Sequence, residues 1–215
     1  MHFSTAMFRH MVKAVNVDYG ELRKKGRALK ELLDYGREAC VMTKKGTNIT
    51  FNIQGMTAIS NDGSYQNYGG NIPTGEVYIP PRKNKVEGVV VVDGSAKTGE
   101  DTILIKEPIK MRIENGELTE IRGGKEAKAL EKSFENAMKK AKYPWGIKRV
   151  GELGIGINPG AAIVGPTIIN EKALGTAHIG VGSNHWFGGS IYAITHLDQV
   201  FREPKIYVDN ERIKV

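Results

Sequence analysis

The sequence predicts an α+β fold, with mixed or antiparallel sheets built from hairpins and two to three helices. Three observations predict it. Two segments repeat apolar residues at helical spacing, several short β-branched runs are joined by turn signals, and no strand–helix–strand rhythm links them. Residues 4 to 14 read as a short helix. The next helix starts at Asp18, with Glu21 three residues on, an arrangement that satisfies free N–H groups at a helix start. Leu22, Leu29 and Leu33 then recur on one stripe facing a core. ACVMT and NITFNI flank a Lys44-Lys45-Gly46-Thr47 turn and read as a hairpin. VEGVVVVDG is a β-branched strand. KMRIE and ELTEI flank Asn115-Gly116, the strongest two-residue hairpin signal. A second long helix is expected from about Lys125 to Ala141, with Ala127, Leu130, Phe134, Ala137 and Met138 on one side. Lysines crowd its last turn, where the helix dipole favours cations, and Pro144 follows. KIYVD, a turn at Asn210 and RIKV close the chain. With no repeats, low-complexity tracts or linkers, residues 1–215 read as one domain, and residues 1–37 as a helical arm packed on it.

Bulk properties narrow the function classes. The chain has 215 residues, 40% of them hydrophobic and 26% charged, enough for one sizeable core. No run of about 18 apolar residues exists, so no membrane partner is expected. The N-terminus lacks the apolar stretch and cleavage site of a signal peptide. The single Cys40 cannot form an internal disulfide, which fits a reducing cytoplasm. The net charge is +7, yet the lysines are scattered, often beside glutamate, and no aromatic residues interleave with a basic stripe. No nucleic-acid partner is therefore expected. That lysine- and glutamate-rich surface, together with only three glutamines, points to a heat-adapted source.

Four segments rich in glycine or proline carry isolated ionisable residues: NIPTGEVY with Glu76, GELGIG with Glu152, GTAHIGVG with His178, and THLD with His196 and Asp198. Three of the five histidines, His178, His185 and His196, fall within about twenty residues; His2 and His10 sit in the arm as surface residues. In an extended strand residues i and i+2 share a face, so His196 and Asp198 can grip one ion while Leu197 packs behind. A histidine satisfied by its aspartate neighbour would look the same. His178 lies among Ala177, Ile179 and Val181, where either a metal or a hydrogen bond would satisfy it. Glu152 lies in an apolar strand, where an unpaired carboxylate is expensive to bury. Glu76 sits in a proline-stiffened loop between Pro73 and Pro80-Pro81, which suits a preorganised ligand.

Together these residues form a mixed oxygen and nitrogen donor set without cysteine, suited to Zn²⁺, Co²⁺, Mn²⁺ or Fe²⁺ rather than to a structural zinc. The number of donors exceeds what one tetrahedral ion needs, so two ions are expected. Glycines at GIGINPG and GSN match neither nucleotide-binding pattern, so no phosphate loop is read there.

At these segments the sequence resembles the aminopeptidase T type of metallo-aminopeptidase, the leucyl aminopeptidases of the thermophilic metalloprotease family. NIPTGEVYIPP, GVVVVDGS, GELGIGINPGA, NEKALGTAHIGVG and HLD carry the resemblance, with NVDYGELRKKGRALKELL and TKKGTNITFNI upstream. The resemblance implies two divalent ions (Zn, Co or Mn), a peptide substrate, a homo-oligomer, and hydrolysis by a metal-activated water. It implies metal ligation by Glu76, Glu152, His178, His196 and Asp198, with Glu76 or Glu152 able to shuttle protons as a catalytic group. His185 stands where that family has a tyrosine ligand and is carried over as a sixth donor. Such enzymes usually have a further N-terminal α/β domain ahead of the matched region. The same superfamily resemblance extends to a ring-opening dioxygenase of dihydroxypyridine with one Fe(II), here on His178, His196 and Asp198 with Glu76. A non-catalytic metal-binding or assembly protein is the third reading.

Overall fold

A computed structural model describes residues 5–64, 70–99 and 101–214; residues 1–4 of the expected arm, His2 among them, lie outside that set. The chain opens with α1 (Thr5–Val15) and α2 (Tyr19–Tyr35), then the strands β1 (Glu38–Met42), β2 (Asn48–Asn52), β3 (Ile59–Asn61) and β4 (Glu76–Ile79). There follow β5 (Val86–Val92), β6 (Ser95–Lys97), β7 (Thr102–Leu104), β8 (Ile109–Glu114), β9 (Glu117–Arg122) and α3 (Lys125–Lys140). The last part holds β10 (Val150–Gly156), a single turn α4 (Thr167–Asn170), β11 (Thr176–Gly182), β12 (His196–Arg202), β13 (Lys205–Val208) and β14 (Glu211–Ile213). This is the α+β architecture the sequence predicts.

The strands form two seven-stranded sheets, one ordered β14-β13-β1-β2-β5-β8-β9 and the other β3-β4-β10-β11-β12-β6-β7. Their ladders are antiparallel, so neither sheet is mixed. The β8–β9 hairpin turns through Asn115 and Gly116 at φ 51° and 71°, the left-handed pair that a two-residue turn requires. Asp18 caps α2 by accepting from the Gly20 and Glu21 amides at 2.8 and 3.1 Å. Met138 departs from the expected helix stripe: Ala127, Leu130, Phe134 and Ala137 of α3 are buried, whereas Met138 is 39% exposed at the rim. The strands β3, β6 and β7 were not foreseen, because three residues are too few to show a period.

One hydrophobic cluster joins both sheets and two helices. It takes Leu22, Leu29 and Leu33 from α2, Leu130 and Phe134 from α3, and Val41, Phe51, Val90 and Met111 from the first sheet. The second sheet contributes Val77, Ile79, Leu153, Ile155, Ile179, Val181, Leu197 and Phe201. Those are alternate residues on β4, β10, β11 and β12, so one face of the second sheet is committed to the core. Among the described residues no helix is long and apolar enough to cross a membrane.

Candidate metal centre

The opposite face of the second sheet collects the ionisable residues, and strand register explains how. Gly156 pairs with Glu76 and Gly154 with Tyr78 across β10 and β4. Glu152 pairs with Gly180 and Gly154 with His178 across β10 and β11. Gly180 pairs in turn with Asp198, and Gly182 with His196, across β11 and β12. Residues i and i+2 share a face, so Glu76, Glu152, His178, His196 and Asp198 rise from four neighbouring strands on one side.

The glycines between them have a steric role. A Cβ on Gly180 would lie 2.5 Å from His196 Cε1 and 2.8 Å from Glu152 Cβ, and one on Gly154 would overlap the His178 ring. The imidazoles occupy the space a Cβ would need, which is why the strands that carry them are glycine-punctuated. Glu76 is not on a loop, as the prolines suggested, but opens β4 and is buried.

At the centre stands Glu152. One carboxylate oxygen is 3.0 Å from His178 Nε2 and the other 3.1 Å from His196 Nε2. His196 Nε2 is also 3.0 Å from Asp198 Oδ1, and His178 Nε2 is 3.7 Å from Glu76. Two overlapping donor groups result, Glu76/Glu152/His178 and Glu152/His196/Asp198, each with its donor atoms within 4.8 Å of one another.

Two features of this cluster call for a cation. His196 Nδ1 donates to the Ser183 carbonyl at 2.7 Å, so Nε2 is the nitrogen turned to the two carboxylates and the one a metal would take in place of a proton. Asp198 Oδ1, although close to that nitrogen, lies outside hydrogen-bonding geometry and is buried without a hydrogen-bond partner. Carboxylates gathered in a buried site are costly unless positive charge sits among them, supplied either by protonated imidazoles or by a metal ion that displaces those protons. Proton affinities tell the same story. Burial alone would lower both histidines, but Glu152 raises His178 to about 9, and Asp198 with Glu152 holds His196 well above the ordinary imidazole value. Burial would raise Asp198 and Glu152, and their imidazole neighbours pull both below the usual carboxylate range. The donor set thus fits a divalent ion.

His185 is not brought into either group. Its Nδ1 is 2.9 Å from Ser183 Oγ and its ring stacks on Tyr192 with centroids 4.5 Å apart. The sequence placed it by proximity along the chain, but a short 3-10 turn, His185–Phe187, leads it into the aromatic rim. That rim closes one side of the centre: Trp186 and Phe187 meet the His196 ring edge-on at 5.1 and 6.0 Å.

Two functional candidates escaped the sequence reading, Glu171 and Lys172. Lys172 is fully buried, with Nζ 2.6 Å from Glu76 Oε1 and in direct contact with Glu171. Burial would discharge this amine, but Glu171 and Glu76 keep its proton affinity raised, while burial pushes Glu171 up to about 8. Nothing in NEKALG distinguishes this lysine from the many exposed ones.

Comparison with solved structures places the fold. It matches 2,5-dihydroxypyridine dioxygenase from Pseudomonas putida KT2440 with a TM-score of 0.78 and 22% identity, over 96% of this chain and 60% of that one. It matches wild-type AmpT from Thermus thermophilus with a TM-score of 0.69 and 19% identity, over 97% of this chain and 56% of that one. The chain therefore spans about three-fifths of the length of these two proteins, and at such identities they establish the fold alone. No curated protein sequence matches. The family model of NicX, 2,5-dihydroxypyridine 5,6-dioxygenase, matches residues 10–215. It favours the dioxygenase that the sequence reading held as its alternative, whereas the aminopeptidase T type is represented by a weaker likeness of fold. With nearly its whole length matched, the chain belongs to the NicX family of 2,5-dihydroxypyridine 5,6-dioxygenases.

Proposed function

We propose that the chain is the metal-binding part of a ring-opening dioxygenase that uses a single Fe(II) and takes a dihydroxylated nitrogen heterocycle, rather than an aminopeptidase. The observation that carries the metal is the pair of donor groups, Glu76/Glu152/His178 and Glu152/His196/Asp198, that meet at Glu152; the family match carries the reaction. The two-histidine, one-carboxylate set that the resemblance implies for Fe(II), His178, His196 and Asp198, draws on both donor groups, with Glu152 between the imidazoles. When bound, iron would supply the one-electron chemistry that lets oxygen react with an electron-rich ring. The protein's own part is placement. Ser183 fixes the His196 tautomer, the sheet fixes the carboxylates, and Trp186, 56% exposed, offers a flat aromatic wall beside His196 for a planar substrate.

The hydrolase reading draws on the second donor group, Glu76/Glu152/His178, which a two-ion site would fill. One experiment separates them. Protein loaded with Fe(II) under anaerobic conditions should consume oxygen when given 2,5-dihydroxypyridine and should not cleave an aminoacyl-nitroanilide with Zn²⁺, Co²⁺ or Mn²⁺. Nitroanilide cleavage without oxygen uptake would reverse the assignment.

A further inference from the structure

We propose that Lys172 takes the place of a second metal ion and limits this centre to one. The inference rests on the metal-centre reading above, but not on which reaction follows. Lys172 lies with no exposed surface, its ammonium bonded to Glu76 Oε1 at 2.6 Å and to Glu171. The same Glu76 oxygen also receives Asn61 Nδ2 at 3.4 Å. An ammonium has three donors and no acceptor, so this geometry requires carboxylates and offers nothing to a metal. Glu76 belongs to the Glu76/Glu152/His178 group, so a second ion there would share its carboxylate with a fixed positive charge. Among the described residues no lysine or arginine pairs with the other group, Glu152/His196/Asp198, whose carboxylates meet only the imidazoles.

Charge balance leads the same way. Glu76, Glu152, Glu171 and Asp198 face one ammonium, and imidazoles acting as ligands are neutral. One divalent ion brings the cluster to neutrality when Glu171 holds its proton, and to within a single negative charge when it does not. A second would leave it net positive, with Lys172 held a few ångströms away and no solvent to screen it. Lys172 is thus a positioning residue that keeps Glu76 from acting as a metal ligand and sets the number of ions.

Metal counting tests this with the whole chain and Mn²⁺ or Zn²⁺ alone, no substrate being needed. The wild type should bind one equivalent, Glu171→Gln should still bind one, and Lys172→Met should bind two. Two equivalents on the wild type, or one on folded Lys172→Met, overturns the inference. If Lys172→Met fails to fold, Lys172→Met/Glu171→Gln, which removes one charge of each sign, takes its place. A structure of the metal-loaded wild type decides independently of any variant. Nζ should remain on Glu76 with no ion bonded to that carboxylate, and an ion within about 2.2 Å of it overturns the inference. No binding at all would sink the metal centre itself, whereas two wild-type ions would sink only the role of Lys172.

Discussion

Adding one methyl group to the floor of the centre, Gly180→Ala, tests whether the glycines are spacers for the donors. The new Cβ would stand 2.5 Å from His196 Cε1, 2.6 Å from its Nε2 and 2.8 Å from Glu152 Cβ. Ordinary carbon contacts begin near 3.5 Å, so the imidazole must retreat by about 1 Å. Glu152 Cβ is fixed to its strand and cannot give way, and Trp186 and Phe187 stand against the ring. Overpacking of this kind costs about 1–3 kcal/mol. For a chain of this size each kcal/mol lowers the Tm by roughly 2–4 °C. The larger effect is on metal: donor distances tolerate only about 0.2 Å of error, so affinity should fall by about 10–100-fold, the range seen when a ligand loses its orientation. Isothermal titration with Mn²⁺ and a thermal melt measure the two effects. A dissociation constant within twofold of wild type, with an unchanged Tm, would refute the spacer role.

Further outcomes follow from the same geometry. Asp198→Asn and Glu152→Gln should each abolish measurable Mn²⁺ binding in the same titration. Metal should stabilise the fold, raising it by about 4 kcal/mol at a thousandfold excess over Kd, so a chelator should lower the Tm; an identical melt with and without metal would contradict a preorganised site. His185→Ala should leave metal affinity within about twofold, because its ring engages Ser183 and Tyr192 rather than the donors; loss of binding would return it to the ligand set. Phe134→Ala, with no exposed surface, should cost about 3–5 kcal/mol in urea denaturation without altering metal stoichiometry.

Much of this centre was legible because charged residues in apolar strands are conspicuous. Glu152 between Gly151 and Leu153, and His178 between Ala177 and Ile179, stood out as groups that need a partner, and alternation put His196 and Asp198 on one face. What escaped notice depends on strand pairing rather than on any local pattern. The purpose of Gly154 and Gly180 shows only when the neighbouring strand lays an imidazole over each. Lys172 was hidden because lysine is by default a surface residue, and only the fold brings Glu76 to it across a separation of 96 positions. His185 misled for the reverse reason: nearness along the chain implied nearness in space, and a three-residue turn undid it. The long helices and the Asn115-Gly116 hairpin carry their own local signals, whereas β3, β6 and β7 exist by virtue of their neighbours.

The alternation along β10 and β11 also bears on how the sheet finds its alignment. Glycine-rich strands ordinarily slide past one another easily, since little distinguishes one pairing from the next. Here a slip of one residue would drive Glu152 and His178 into the hydrocarbon interior and expel Leu153 and Ile179 among the carboxylates. Each misaligned pairing would bury uncompensated charge. The groups proposed to hold the metal therefore also act as registration marks that penalise any one-residue slip of these strands.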